Sequence, residues 1–440
     1  MNILRFIDYA KEQGISSVQV FVGKSANQSI KIYHKDVERF SVSESQGLTA
    51  MGIYNGKMGS ATTEKLDNTT FDFLVKGIKE SATISENTDF LDFFKGSEKY
   101  KKKNIYSKEL ESWQSEEVIK LLRSIEEKLL CYDKRITDVS GVSFKKVEAE
   151  QTLMNSYGLK LKQKSNYFYI TAGVVAKSDE ETKTGFGLYI ESDPKKFNID
   201  EFVQKTADQA LKKFGAAPCE SKKYPTVIKA DVFAELLDYF VSQLSAEEVQ
   251  KHSSLVEGKI GQKIASTKVN VFEKPLTKNI FYSYFDDEGV AKFNKPLIKK
   301  GVLQTYLHNR ATAKKMGVES TANGSMNGSK MGIAYESIYV KPGRKTFDQM
   351  IEGIKEGVYI TEIAGLGTGI NPRSGDFSCQ AEGFMIRDGK LEKPLNLITL
   401  SGNLLKMLQD VKEFDDKNKT LPSSFTVPDV FIKSMNIGGK

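Results

Sequence analysis

Apolar residues in the first half of the chain return with two different spacings. Ile3, Phe6, Ile7 and Ala10 repeat at three and four residues, which predicts a helix that Gly14 ends. Runs at 18–22, 29–33, 37–42 and 47–54 are strand-like and predict short strands. Asn55-Gly56 then predicts a tight hairpin, because both residues tolerate positive φ. Helical spacing resumes after Asn68-Thr69-Thr70, with Phe71, Leu74, Val75, Ile78 and Ala82 on one face. It appears again from Ser115, with Val118, Leu121, Leu122, Ile125 and Leu129. Between these two helices, residues 86–114 are polar and Lys-rich and read as a connector.

Beyond the Ser115 helix the period changes to two. Runs at 139–147, 152–155, 159–162, 168–175 and 186–190 predict an antiparallel meander, with Asn155-Ser156-Tyr157-Gly158 as one turn. A helix opened by Asp200 carries Phe202, Val203, Ala207, Ala210 and Leu211 and ends at Gly215. Pro218 and Pro225 flag the stretch 216–224 as the domain boundary. The chain thus divides into an N-terminal α+β region, 1–215, divisible into 1–90 and 110–215, and a C-terminal domain, 222–440. The second half opens with a strand at 226–229 and a helix from Asp231 to about Leu244, with further helices near 347–355 and 404–411. The rest of it is rich in Gly, Asn and short apolar runs, so it reads as mainly antiparallel β. Strands that come as meanders, without a repeating β-α alternation, set the class as α+β.

Composition narrows the chemistry. A length of 440 residues suits two or three domains of ordinary size. Three His, three Cys and one Trp leave too few ligands for a Cys-rich zinc module or a His-cluster metal centre, and too few thiols for a disulfide scaffold. The opening MNILRFIDYAKEQG lacks a signal pattern, and no apolar run approaches the roughly 18–20 residues that span a bilayer. The expected location is the reducing cytoplasm, with no membrane partner. The net charge of +7 (64 Lys and Arg against 57 Asp and Glu) comes almost wholly from Lys, since only eight residues are Arg. Those Lys are scattered among acids, which argues against a nucleic-acid partner.

Several stretches hold candidate chemistry. Asp286-Asp287-Glu288-Gly289 could hold a hard cation, but a Gly beside three acids reads more simply as a solvated turn. His308 could be a general base or a loop hydrogen-bonder, and Cys379 a nucleophile or an inert buried thiol. Gly365-Leu366-Gly367-Thr368-Gly369 is followed by Asn371-Pro372 where a phosphate loop needs a helix, so it reads as a turn between strands. Residues 320–330, STANGSMNGSK, read as a flexible loop.

Taken in order, several motifs carry a family resemblance: Phe285-Asp286-Asp287-Glu288-Gly289, Tyr306-Leu307-His308 to Gly317, Gly369-Ile370-Asn371-Pro372 with Gly375-Asp376-Phe377-Ser378, and Ile398-Thr399-Leu400-Ser401-Gly402-Asn403-Leu404. With them the chain resembles the TldD/PmbA family, once called modulators of DNA gyrase and associated with metallopeptidase activity. The resemblance implies that Asp286, Asp287, Glu288, His308, Asn371, Pro372, Gly375, Asp376, Phe377 and Ser378 belong to family motifs that could line a peptide channel. In the TldD branch a His-Glu-x-x-x-His helix and a later Cys hold a metal, expected to be zinc. The corresponding helix here, placed by Gly258-Lys259-Ile260-Gly261-Gln262, reads Leu237-Asp238-Tyr239-Phe240-Val241-Ser242.

The chain is therefore similar to the PmbA (TldE) branch. That implies a non-catalytic subunit without a cofactor of its own, with zinc in a TldD-like partner, acting on peptides or unfolded proteins. The alternatives are a stand-alone hydrolase with a non-zincin site, for which Asp286, Asp287, Glu288, His308 and Cys379 are the candidates, and a homodimeric peptide-binding protein with no peptidase partner.

Overall fold

The computed structural model describes residues 1–85, 92–178, 180–328 and 330–440. The class is α+β, with mainly antiparallel sheets, as the meander pattern predicts. The chain forms two compact units. The first takes Met1–Leu211 together with Leu276–Phe293 and His308–Ala334, and the second takes Lys212–Pro275, Asn294–Leu307 and Tyr335–Lys440. The unit change at 211/212 lies beside the Gly215 helix end. Two stretches of the 222–440 region nevertheless belong to the first unit.

In the first unit the order is α1 (Ile3–Glu12), β1 (Ser17–Tyr33), β2 (Asp36–Tyr54), β3 (Lys57–Thr63), α2 (Phe71–Ile84), α3 (Lys108–Glu111), α4 (Ser115–Tyr132), β4 (Ile136–Asn155), β5 (Lys160–Lys177), β6 (Thr182–Glu191) and α5 (Ile199–Leu211). The strands form one antiparallel sheet in the order β3-β2-β1-β4-β5-β6. Runs that the pattern separates prove continuous: 18–22 and 29–33 are both β1, 37–42 and 47–54 are both β2, and 139–147 and 152–155 are both β4. The pattern breaks because the middle of each strand is polar on both faces, while the backbone ladder continues through it. The first six residues of the expected connector, 86–91, lie outside the described residues; the rest includes the short α3.

One face of the sheet carries helices at both ends. At one end Phe6, Ile7, Ala10, Leu74 and Ile78 of α1 and α2 cover Val18, Val20, Val22, Leu48 and Ala50. At the other, α4 packs on β4 and β1, and Trp113 meets Phe144 and Phe168 edge-on at ring distances of 5.4 and 5.3 Å. The β1–β2 turn needs positive φ at His34 and Lys35, and it is held by the buried Glu126 of α4, which accepts from both backbone N–H groups at 2.8 and 2.7 Å. On the opposite face, Phe21, Leu153 and Leu161 pack with Leu276, Tyr282, Tyr284 and Phe285, and this contact recruits the stretch Leu276–Phe293 into the unit.

In the second unit β7 (Lys222–Ile228) leads into α6 (Ala230–Ser242), followed by β8 (Glu356–Ala364), β9 (Asp376–Arg387), β10 (Lys390–Asn403), β11 (Val411–Phe414) and β12 (Val430–Gly438). The sheet order is β10-β9-β8-β7-β12-β11, and β12 also pairs with β10 through Leu400 and Ile437. Five strands thus close on themselves, which removes edges that would otherwise invite foreign pairing. Gly365–Gly369 is the turn between β8 and β9, closed as one short helical turn. A second sheet contains Val271–Glu273, Lys295–Lys299 and Ile338–Val340, and its Lys295–Glu273 ion pair is buried at 2.5 Å.

Glycines on β6 set how closely α5 approaches. A Cβ on Gly187 would run into Thr206 Oγ1 and lie 3.0 Å from Phe202 Cζ, and the Thr206 hydroxyl is pinned by donating to Phe202 O at 2.7 Å. Gly187→Val should therefore destabilise the first unit by about 1–3 kcal/mol. Gly47→Ala, with open space around its Cβ, should change stability by no more than about 0.5 kcal/mol. Urea unfolding followed by fluorescence of Trp113 reads both.

Candidate functional site

The acidic turn is buried, which corrects the expectation of a solvated one. Asp286 is 2 % exposed and Glu288 6 %. The turn is buried because its carboxylates replace water with backbone donors. Asp286 Oδ1 accepts from Glu288 N–H at 3.0 Å and Val290 N–H at 2.9 Å, and its Oδ2 accepts from Gly324 N–H at 2.9 Å. Asp287 Oδ2 accepts from Met326 N–H at 2.8 Å, and Glu288 Oε2 from Arg310 N–H at 2.7 Å. Three consecutive acids thus latch the turn to the segment 310–326. Gly324 is needed for the fit, since a Cβ there would lie 2.7 Å from Glu288 Cγ. Residues 324–327 and 330–333 pair as a hairpin, where the sequence suggests a flexible loop; Ser329, between them, lies outside the described residues.

Burial, opposed by these backbone donors, sets the protonation of the pair. Burial pushes the Asp286 carboxyl up to about 6. Burial pushes that of Glu288 up to about 8, with the Asp286 charge raising it further. His308 lies in the same unit, 3 % exposed; its backbone N–H donates to Thr321 Oγ1 at 2.6 Å, and its carbonyl accepts from Asn323 N–H at 3.3 Å. Burial drives the His308 imidazole down to about 4, so it is neutral at ordinary pH. Arg310, Thr321, Asn323 and Gly324 escaped the sequence reading, because each acts mainly through backbone atoms or a short polar side chain. The Gly/Asn/Ser richness of 320–330 was the trace of Thr321, Asn323 and Gly324, and Arg310 lay unremarked within the 306–317 motif.

In the second unit two further motifs meet. Asn371 Oδ1 accepts from Arg373 N–H at 3.0 Å, and Gly375 N–H donates to Asn371 O at 2.8 Å. Asn403 Nδ2 donates to Ser374 O at 2.8 Å and to Asp376 Oδ1 at 2.9 Å, joining the 371–378 loop to the start of the helical turn after β10. Gly375 has φ +76 and packs against Leu255, so a side chain there is strained. Pro372, Asp376 and Ser378 are exposed, whereas Phe377 and Cys379 point inward along β9. Burial raises the Cys379 thiol to about 11, with the Glu235 charge adding to it. On α6, Leu237 and Phe240 are buried in the core, and Asp238 Oδ1 accepts from Tyr335 OH at 2.7 Å. Among the described residues no group of three or more His, Cys, Asp and Glu is arranged to hold a metal ion.

Residues 108–214 match the PmbA/TldA metallopeptidase central domain and residues 221–439 its C-terminal domain. The chain belongs to the PmbA/TldD family. It is 27% identical over 411 residues to a metalloprotease PmbA homologue of Buchnera aphidicola, covering 90% of this chain and 87% of that one. It is 23% identical over 440 residues to the metalloprotease PmbA of Escherichia coli O157:H7, covering 96% and 92%. A Thermotoga maritima crystal structure designated a modulator of a DNA gyrase superposes with a TM-score of 0.91 at 26% identity, covering 99% and 98%. TldE from Thermococcus kodakarensis shares the fold, with a TM-score of 0.91 at 20% identity over 99% and 100%.

A carboxyl whose folded pKa is raised stabilises the fold below its ordinary value near 4 and loses that contribution as pH rises through the folded pKa. The Trp113-monitored unfolding midpoint should therefore contain a component that falls between about pH 4 and pH 8. Glu288→Gln, which keeps an acceptor for Arg310 N–H, should flatten the upper part of that window. Thiol titration should label exposed Cys131 in the native chain, with Cys219 and Cys379 reacting only after denaturation.

Proposed function

We propose that this PmbA/TldD-family protein is the non-catalytic, TldE-like subunit of a peptidase complex that processes peptides or unfolded proteins in the cytoplasm, with zinc held by a TldD-like partner. The observation that carries the proposal is the donor chemistry at α6. Where the catalytic branch presents two imidazoles, this helix presents Leu237 and Ser242, and Leu237 is wholly buried. The neighbouring Asp238 is engaged by Tyr335. The Cys379 thiol is buried on β9, and α6 offers no imidazole to share a metal with it. These residues do not suit zinc, so no catalytic step is assigned to them.

The homodimeric peptide-binding protein is the second reading, and it shares the same donor chemistry. Independent hydrolysis by His308 or Cys379 is disfavoured by a buried imidazole and a thiol raised to about 11.

Purification of the chain from its native host decides the assignment. The expected result is a complex with a second chain bearing a His-Glu-x-x-x-His helix, about one zinc per complex, and peptide hydrolysis that the isolated subunit lacks. An isolated chain that binds zinc tightly and cleaves peptides would overturn it. A homodimer without that partner would favour the second reading.

A further inference from the structure

The polar band across the middle of the first unit's sheet has a specific charge layout. In register, Lys24 of β1 lies opposite Glu150 of β4, which lies opposite Lys164 of β5. Two residues along, Ala26 of β1 lies between Glu44 of β2 and Glu148 of β4. Residues directly opposite one another share a face, so these two rows look out side by side on the helix-bearing face. They line a hollow of about 520 Å³. Its floor is the Ala26 methyl, the smallest side chain in either row.

The charges in this hollow do not neutralise one another. Glu150 is engaged by Lys162 at 2.9 Å, and Glu148 accepts from Tyr106 OH at 2.9 Å. The Lys164 ammonium lies 4.0 Å from the centroid of the Tyr106 ring. Lys24 and Glu44 make no ion pair with any described residue, although they stand diagonally on adjacent strands. With Glu150 neutralised by Lys162, one row is cationic at Lys24 and Lys164 on either side of it, and the other is anionic at Glu44 and Glu148. A simple anion meets the acidic row and a simple cation meets the basic one. A molecule with both charges satisfies each.

We propose that this hollow binds a short free-ended peptide, its ammonium over Ala26 between Glu44 and Glu148 and its carboxylate at Lys24 and Lys164. Same-face residues along a strand are about 6.7 Å apart. The charged ends of an extended dipeptide are separated by about 6 Å, whereas those of a free amino acid share one Cα. The spacing selects the dipeptide. The site is built from the first unit alone and does not depend on a catalytic partner or on the assignment of α6.

Calorimetric titration of the full chain with dialanine, N-acetyl-dialanine, dialanine amide and alanine tests this. Dialanine should bind, and capping either end should weaken binding about tenfold or more, the loss of one charge-assisted interaction. Lys24→Met and Glu44→Gln should each weaken it similarly, and Ala26→Leu should abolish it by filling the floor. Unchanged Trp113-monitored unfolding would show that each variant is folded. No heat at about 10 mM dialanine, a limit of roughly 3 kcal/mol of affinity, would overturn the proposal. So would equal affinity for the capped peptides, full binding by Ala26→Leu, or alanine binding as tightly as dialanine.

Discussion

The register of the six long strands of the first unit is the constraint on which its other features rest. Side chains alternate with a period of two, so a slip of one residue would turn every core position to the other face. β1 keeps one unbroken register with β4 from Gln19 to Ile32. That continuity places Val20 and Ile30 on the same face, Val20 under α1 and α2 and Ile30 buried opposite Phe144. It also places Phe21 and Leu153 on the opposite face, where they gather the aromatic stretch Tyr282–Phe285. The acidic turn follows that stretch directly in the chain, so the register positions it as well.

The turn illustrates how polar groups become buried without becoming a metal site. A carboxylate taken from water is costly unless its oxygens find donors. Here the donors are backbone N–H groups of Glu288, Val290, Gly324, Met326 and Arg310, and they draw the 310–326 segment onto the turn. The raised carboxyls of Asp286 and Glu288 record the residual cost of burial. In the second unit, Asn371, Gly375 and Asn403 similarly hold a loop in one shape by hydrogen bonds within it. Motif residues in both units thus act first as supports of backbone geometry.

Much of the fold was legible from spacing. The helices at Ile3–Glu12, Phe71–Ile84 and Ser115–Tyr132 each carry a stripe at three- and four-residue spacing, and the Asn55-Gly56 hairpin has the positive φ values its residues favour. The continuous length of β1, β2 and β4 was hidden because hydrophobic alternation lapses where no helix covers the sheet. The lapse was itself the signal of an uncovered polar band, visible only once the strands are aligned. The His34-Lys35 turn was hidden for a different reason, since its stabilising group, Glu126, is remote in sequence.

By itself the sequence determined the class, the main helices, the family motifs and the absence of paired imidazoles at Leu237–Ser242. These follow from residue identity and short-range spacing, which need no partner distant along the chain. Only the tertiary structure decided that Asp286 and Glu288 are buried, that 324–327 and 330–333 pair as a hairpin, and that Lys24 and Glu44 face one hollow. Each of these depends on which backbone groups and strands meet across long stretches of chain. That meeting is set by packing and register, and neither is encoded in any local window.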